Sequence, residues 1–247
     1  MYEPRLYQQA FNKERFRLFR VSWKETELLV GVDHRSWHES MPEKCTAFIT
    51  GLRRKLQAYI SLHPAFQTSH EPVKALLDAP QEVQEMCSAG YAAGTGPMAS
   101  VAGLFAEKTG ENLLGEYGCR EVFVENGGDL FLKLENDLVY SVFAGSSPLS
   151  GKLGVLLPPG VIGLCTSSGT VGHSFSYGKA DAVTVACASA PLADALATAI
   201  ANKISGPSDI QSVLEEYATL TDIRSLLAVC GDKAGIRGEF TVLPVKN

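Results

Sequence analysis

The sequence predicts an α+β fold in which antiparallel sheets pack against helices. Three observations carry that prediction. Strand-like runs arrive in hairpin pairs, at 15–32 and at 120–135, instead of alternating one by one with helices. Helical periodicity is gathered in blocks, at 42–62, 81–108 and 191–220. Strand pairs and helix blocks recur in both halves without any short-period repeat, which leaves open two similar halves. Residues 1–247 are expected to form a single domain, with two interleaved subdomains as the other arrangement.

The chain has 247 residues, 45% of them apolar and 20% charged, a composition that excludes disorder over most of its length. Its 22 Lys and Arg stand against 27 Asp and Glu, a formal net charge of -5. That balance argues against nucleic acid as a partner, since such binding leans on phosphate neutralisation. The first 20 residues carry charges throughout and show no apolar h-region. The most apolar stretch, 180–204, is interrupted by Asp181, Pro191 and Asp194, so no membrane span is expected. The six cysteines are scattered without a CxxC pair. They read as small core hydrophobes in a reducing, cytoplasmic compartment.

The elements follow in order. RFRLFRVSWKETELLVGV predicts two strands around a turn near Lys24-Glu25-Thr26. From Pro42 to Leu62, Cys45, Phe48, Ile49, Leu52, Leu56, Tyr59 and Ile60 recur at spacings of three and four, the stripe of an amphipathic helix. HPAFQTSHEP is expected to be a loop. A short helix is expected over 81–89 and another over 97–108, separated by the glycine-bounded break AGTGPM. The period then changes to that of strands in REVFVEN, DLFLKLE, LVYSVFA, GKLGVLLP, VIGLCTS and AVTVAC. A helix over 191–204, a second over about 208–220, and a hairpin of RSLLAVCG with IRGEFTVLPV complete the chain.

Chemistry concentrates in three places. In Val124-Glu125-Asn126-Gly127-Gly128-Asp129 the glycine pair permits positive φ and close approach of a ligand, and Asn126 and Asp129 flank it with an amide and a carboxylate. The same residues also suit a plain two-residue hairpin turn. In 165–181, Ser167, Ser168, Gly169 and Thr170 offer hydroxyls and backbone N–H groups of the kind that hold phosphate, and His173 offers a proton carrier near neutral pH. The alternative there is a solvated Ser/Gly loop. In the helix over 191–204, Asp194, Thr198 and Asn202 fall at i, i+4 and i+8 and stack their oxygens in one row. A carboxylate and a hydroxyl so placed suit Mg²⁺, which completes its octahedron with water and substrate phosphate. The alternative is that Asp194 answers a helix dipole and Thr198 bonds back to a carbonyl. Asp33, His34 and His38 lack a third metal ligand and read as a polar loop, and a Ser168–His173–Asp181 triad lacks the GxSxG elbow.

The order ENGGD, CTSSGTVGH, ADAVTVACASAPLADALATAI resembles ApbE-type proteins, the FAD:protein FMN transferase superfamily, over about residues 88–204. More closely it resembles an uncharacterised cytoplasmic ApbE-related family that shares CTSSGTVGHSFSYGKADAV and has been linked to sulfur assimilation. The resemblance implies a T-fold-related α+β architecture and a flavin site, with FAD or FMN as ligand. It implies Asn126, Gly127, Gly128 and Asp129 at the ligand, Ser168 and Gly169 in the loop, and Mg²⁺ at Asp194 and Thr198. His173 and Asp194 are then the residues expected to carry any transferase activity. The chain departs from the transferases in its N-terminal region, which lacks their usual pattern, and in two further places. His173 is followed by Ser174-Phe175-Ser176-Tyr177 in place of a His-Ile-Ile-Asp-Pro-like segment, and Gly96–Val101 contains no lysine. The expected function is therefore a Mg²⁺-assisted site for a small phosphate-bearing ligand. The rival expectation is a non-catalytic ligand-binding or assembly protein, with a homo-oligomer as one form of it.

Overall fold

A computed structural model describes residues 14–169 and 178–245. Two hairpins and a helical block build each half of the main sheet. In the first half, β1 (Phe16–Trp23) and β2 (Thr26–Asp33) lead into α1 (Met41–Leu62), α2 (Ala65–Thr68), α3 (Gln81–Ala93) and α4 (Val101–Tyr117), and the chain returns as β3 (Val122–Asn126) and β4 (Asp129–Leu134). The second half repeats the plan. After β5 (Leu138–Ser141) and β6 (Leu153–Leu157) come β7 (Gly160–Ser167), β8 (Ala182–Cys187), α5 (Ala190–Lys203), α6 (Ile210–Tyr217), β9 (Ile223–Cys230) and β10 (Lys233–Gly238). The eight-stranded sheet runs β1-β2-β3-β4-β7-β8-β9-β10, antiparallel at every pairing. The antiparallel α+β architecture is thus the one the hairpin order predicts, with two similarly ordered halves meeting at β4 and β7.

Each face of this sheet is covered. Helices bury one face, with Val122, Val124, Phe131, Cys165, Val183 and Val185 of the strands in that core. A three-stranded sheet of β5, β6 and β11 (Thr241–Pro244), in the order β11-β6-β5, covers the other face over Phe123, Leu130, Leu132 and Leu164. Burial on both faces is why these strands show continuous apolar runs and not alternation. The α1 stripe buries Met41, Cys45, Ile49, Leu52, Leu56 and Ile60, as its spacing predicts. α5 is buried almost all round, and its alanines let neighbouring backbones approach.

Four expectations on element bounds are corrected. Residues 65–68 form a helical turn within the expected loop. α3 continues past Ala89 to Ala93, ending at Gly94 in the left-handed region (φ 70°). α4 runs to Tyr117 instead of stopping at Lys108. Gly110 is retained inside it because the Phe131 ring occupies the space of a Cβ, and Gly118 (φ 62°) ends it. The final hairpin arm breaks at Gly238 (φ 98°), so 233–238 pairs with β9 while 241–244 crosses to pair with β6.

Arg15 ties the start of β1 to the start of β3. Its Nε donates to Glu121 Oε2 at 3.0 Å and its Nη2 to Glu121 Oε1 at 2.5 Å. Arg15 holds the Glu121 carboxyl below its ordinary 4.5, with further help from the Glu135 and Asn136 N–H groups. A group depressed in this way stabilises the fold above its unfolded value and loses that contribution as pH falls through the folded one. Arg15→Ala is expected to cost about 1–3 kcal/mol at pH 7. The difference from wild type should shrink by pH 3, which urea unfolding at the two pH values will check.

Candidate functional site

The β3–β4 turn has Gly127 and Gly128 at φ 70° and 108°, with Asn126 facing Asp129 in register. Both central residues have positive φ, which a side chain would oppose. Glu125, fully buried, accepts the Gly128 N–H at 2.8 Å and so braces the turn from inside. The turn leans on the end of β7, where the Thr166 N–H donates to the Gly128 carbonyl at 3.2 Å. It also touches the start of α4, where Asn126 Nδ2 donates to the Ala102 carbonyl at 3.1 Å.

Asp194 reaches the same point from α5. Its Oδ2 accepts the Gly103 N–H at 2.9 Å, and the Ala102 N–H also bonds to its carboxylate. The helix it answers is α4, not its own. Free N–H groups in a first turn are satisfied here by a carboxylate from another helix. Asp129 and Asp194 are both nearly buried, at 9% exposure. Burial, followed by the charge of Asp194, pushes Asp129 well above the ordinary carboxylate range. Burial likewise pushes Asp194 up to about 7, against the pull of the Gly103 and Ala102 N–H groups. Two desolvated carboxylates, one raised by the charge of the other, hold a proton more tightly than free acids do.

The glycine turn, the end of β7 and the acidic residue of α5 therefore converge. Ser167, the last residue of β7, and Ser168 are half-buried beside it. Gly169 is required for packing. Its N–H bonds the Ala180 carbonyl at 2.8 Å, and a Cβ would sit 2.1 Å from the Gly178 carbonyl oxygen. Thr198 lies one turn beyond Asp194 and is half-buried. Thr170 and His173 lie outside the described residues. Among the described residues, no group of three or more His, Cys, Asp and Glu side chains is arranged to hold a metal ion. A cation at Asp194 would accordingly draw most of its ligands from water and substrate, as Mg²⁺ commonly does.

The other motifs have structural work. Asp33 accepts N–H groups from Arg35, Ser36, Arg120 and Glu121, and His38 Nδ1 pairs with Ser40 Oγ at 2.8 Å. They sit at the opposite end of β3 from the turn, near an open cleft of about 220 Å³ lined by Arg15, His34, Arg35 and Arg120 among others. Asp181 accepts the Gly231 N–H at 2.7 Å. All six cysteines are free and buried, and burial raises every thiol, Cys119 to about 11 and Cys45 to about 12. That is the chemistry of core packing and not of a nucleophile.

Sequence reasoning passed over Glu107, Glu125 and Tyr140. Glu107, on α4, is 9% exposed, and burial pushes it up to about 7 although the Ala190 N–H donates to its Oε2 at 2.6 Å. Tyr140 of β5 is buried near Glu125, and desolvation raises its phenol. One signal was available for Glu107, a lone acid in the apolar run Leu104-Phe105-Ala106.

A family model described as "AbpE bacteria" matches residues 8–229. The chain belongs to that family. It is 39% identical over 231 residues to a UPF0280 protein of Methanocaldococcus jannaschii, covering 91% of each chain. It is 44% identical over 200 residues to a UPF0280 protein of Methanothermobacter thermautotrophicus, covering 79% of this chain and 77% of that one. Among solved structures it resembles the ApbE protein of Thermotoga maritima with a TM-score of 0.59 and 14% identity, over 91% of this chain and 97% of that one. The apo flavinyl transferase ApbE of Pseudomonas stutzeri gives 0.52 and 13%, over 93% and 94%. At such identities the likeness is one of fold, and the fold is ApbE-like. Among the described residues no helix is long and apolar enough to cross a membrane.

Proposed function

We propose that this protein binds a small phosphate-bearing ligand, a flavin nucleotide (FAD or FMN) foremost, together with Mg²⁺, in a site of the flavin-transferase type. The observation that carries the reading is the meeting of Asp129 and Asp194 beside the glycine turn, at the first turn of α4. The donors fit a hard cation. They are two desolvated carboxylates that repel each other, Asp194 held by the Gly103 and Ala102 N–H groups and Asp129 by the Thr166 N–H and the Cys165 thiol. Asp194 would hold the cation, with Thr198 one turn on. Such a cation would offset charge on a phosphate that leaves or is transferred. Gly127 and Gly128 give close access to backbone, and Ser167, Ser168 and Thr170 supply neutral donors to phosphate oxygens. His173 is the proton carrier in this reading. The resemblance in fold to a flavinyl transferase supports the choice of flavin over other phosphate esters.

The test is titration of FAD, FMN and ATP, with and without Mg²⁺, against wild type and Asp194→Ala. Flavin binding that needs Mg²⁺ and weakens at least about tenfold in the variant is the expected result. Equal binding by both proteins, or none by wild type, would overturn the reading.

A further inference from the structure

α4 and α5 cross antiparallel, and each satisfies the other's first turn. The Gly103 N–H donates to Asp194 on α5, and the Ala190 N–H donates to Glu107 on α4. Each carboxylate stands four residues beyond the N–H that its own helix offers, so one turn of either helix spans both bonds. Between them the backbones touch, for a Cβ on Gly103 would lie 2.4 Å from the Ala190 carbonyl oxygen and 3.0 Å from Asp194 Cβ.

Ala190 is pinned from the sheet side as well. Cys165 Sγ donates to its carbonyl at 3.3 Å, and a Cβ on Gly163 would lie 2.4 Å from its nitrogen. Asp194 can sit where it does only if α5 begins where it does. The bond that fixes that beginning from the α4 side is the one to Glu107. The neighbouring cation Lys108 is committed to Glu85 and Glu111. What answers Glu107 directly is therefore the N–H end of α5.

We infer that Glu107 is a positioning residue for the Asp194 carboxylate, setting the start of α5 against α4 so that the Asp194 oxygens meet the Gly103 N–H and face Asp129. The structural half stands on the two bonds and the backbone contact. The functional half rests on the reading of Asp194 as a cation ligand given above. A cap with no positioning role would make its contribution locally, at Ala190. A positioning residue acts at a distance, at Gly103 on its own helix, through α5 and back.

Amide hydrogen exchange on the ligand-free full chain at pH 8 separates the two cases. In Glu107→Ala, exchange is expected to speed by about tenfold or more at both Ala190 and Gly103. In Glu107→Gln, which keeps an acceptor oxygen at the same reach, both amides should stay within about threefold of wild type. If the alanine variant does not fold, Glu107→Asp, one methylene short of the bond, is read in its place. Faster exchange confined to Ala190, no change at either amide, or a glutamine variant as impaired as alanine would each overturn the inference.

The ligand measurement then follows the same pair. Mg²⁺-dependent FAD affinity should fall about tenfold in Glu107→Ala and recover in Glu107→Gln, while any Mg²⁺-independent binding stays put. Loss of both kinds of binding together would overturn the functional half. Absence of FAD binding by wild type would sink the proposed function alone, because the exchange result needs no ligand.

Discussion

Asp194→Asn is expected to melt several degrees higher than wild type at pH 8 without ligand, while losing all response to Mg²⁺. Asp194 ordinarily titrates at 3.8 and is pushed up to about 7 by burial beside Asp129, itself raised. Between those values the folded chain keeps a proton that the unfolded chain has released. Stability therefore falls as pH climbs from about 4 to about 7 and flattens above, the sign expected when the native state binds more protons. Each pH unit of such a shift is worth about 1.4 kcal/mol, so the pair costs the ligand-free fold on the order of a few kcal/mol at pH 8. Asparagine cannot ionise and keeps an oxygen for the Gly103 N–H, so it removes much of that cost. At this size, about 1 kcal/mol corresponds to roughly 2–4 °C. Glu107, raised from 4.5 to about 7, adds a slope of the same sign and remains in the variant, so the profile is flattened and not abolished. Thermal melts from pH 4 to 8, with and without millimolar Mg²⁺, read all of this. Mg²⁺ should raise the wild-type midpoint more at pH 8 than at pH 5, because a proton competes with it. Superimposed profiles for the two proteins would mean that the carboxylate pair stores no charge repulsion.

That cost is what made the site partly legible in the sequence. The glycine pair between Asn126 and Asp129 reads as an ordinary two-residue hairpin connection and forms one, whereas Asp194 is an acid set in an alanine-rich, largely apolar helix. Of the two, the buried acid alone departs from its local pattern and marks a place where ordinary folding preference is overridden. The antiparallel order was legible too, because hairpin-spaced strands leave no room for crossover helices. What stayed hidden depended on tertiary contact. Glu125 reads as one more polar strand residue until the small sheet covers it. Glu107 stands out in the sequence as an acid in an apolar run, but its partner, the Ala190 N–H at the start of α5, is set only by the packing of the two helices. The split of the last hairpin turns on Gly238, whose Cβ would lie 2.3 Å from the Arg224 carbonyl oxygen. Glycines that exist to admit a backbone partner carry no mark in a single sequence that separates them from those at ordinary turns.

Gly103→Ala tests the same crossing through sterics alone, and Gly115→Ala is its control on the same helix. In a helix interior alanine is favoured over glycine by up to about 1 kcal/mol. Nothing lies within 4 Å of a Cβ on Gly115, so that substitution should stabilise by about 0.5–1 kcal/mol. At Gly103 the new methyl would meet the Ala190 carbonyl at 2.4 Å from oxygen and 2.7 Å from carbon, atoms of backbone that cannot rotate away. The helices must part, which costs about 1–3 kcal/mol in packing and strains the two reciprocal bonds as well. The expected result is a melting temperature lower by roughly 2–12 °C for Gly103→Ala, against a rise of about 1–4 °C for Gly115→Ala. The opposite signs come from one chemical change at two places on α4, so helix propensity cannot account for the difference. Were both substitutions to stabilise, α4 and α5 would not be in backbone contact, and Asp194 would have no fixed place beside the glycine turn.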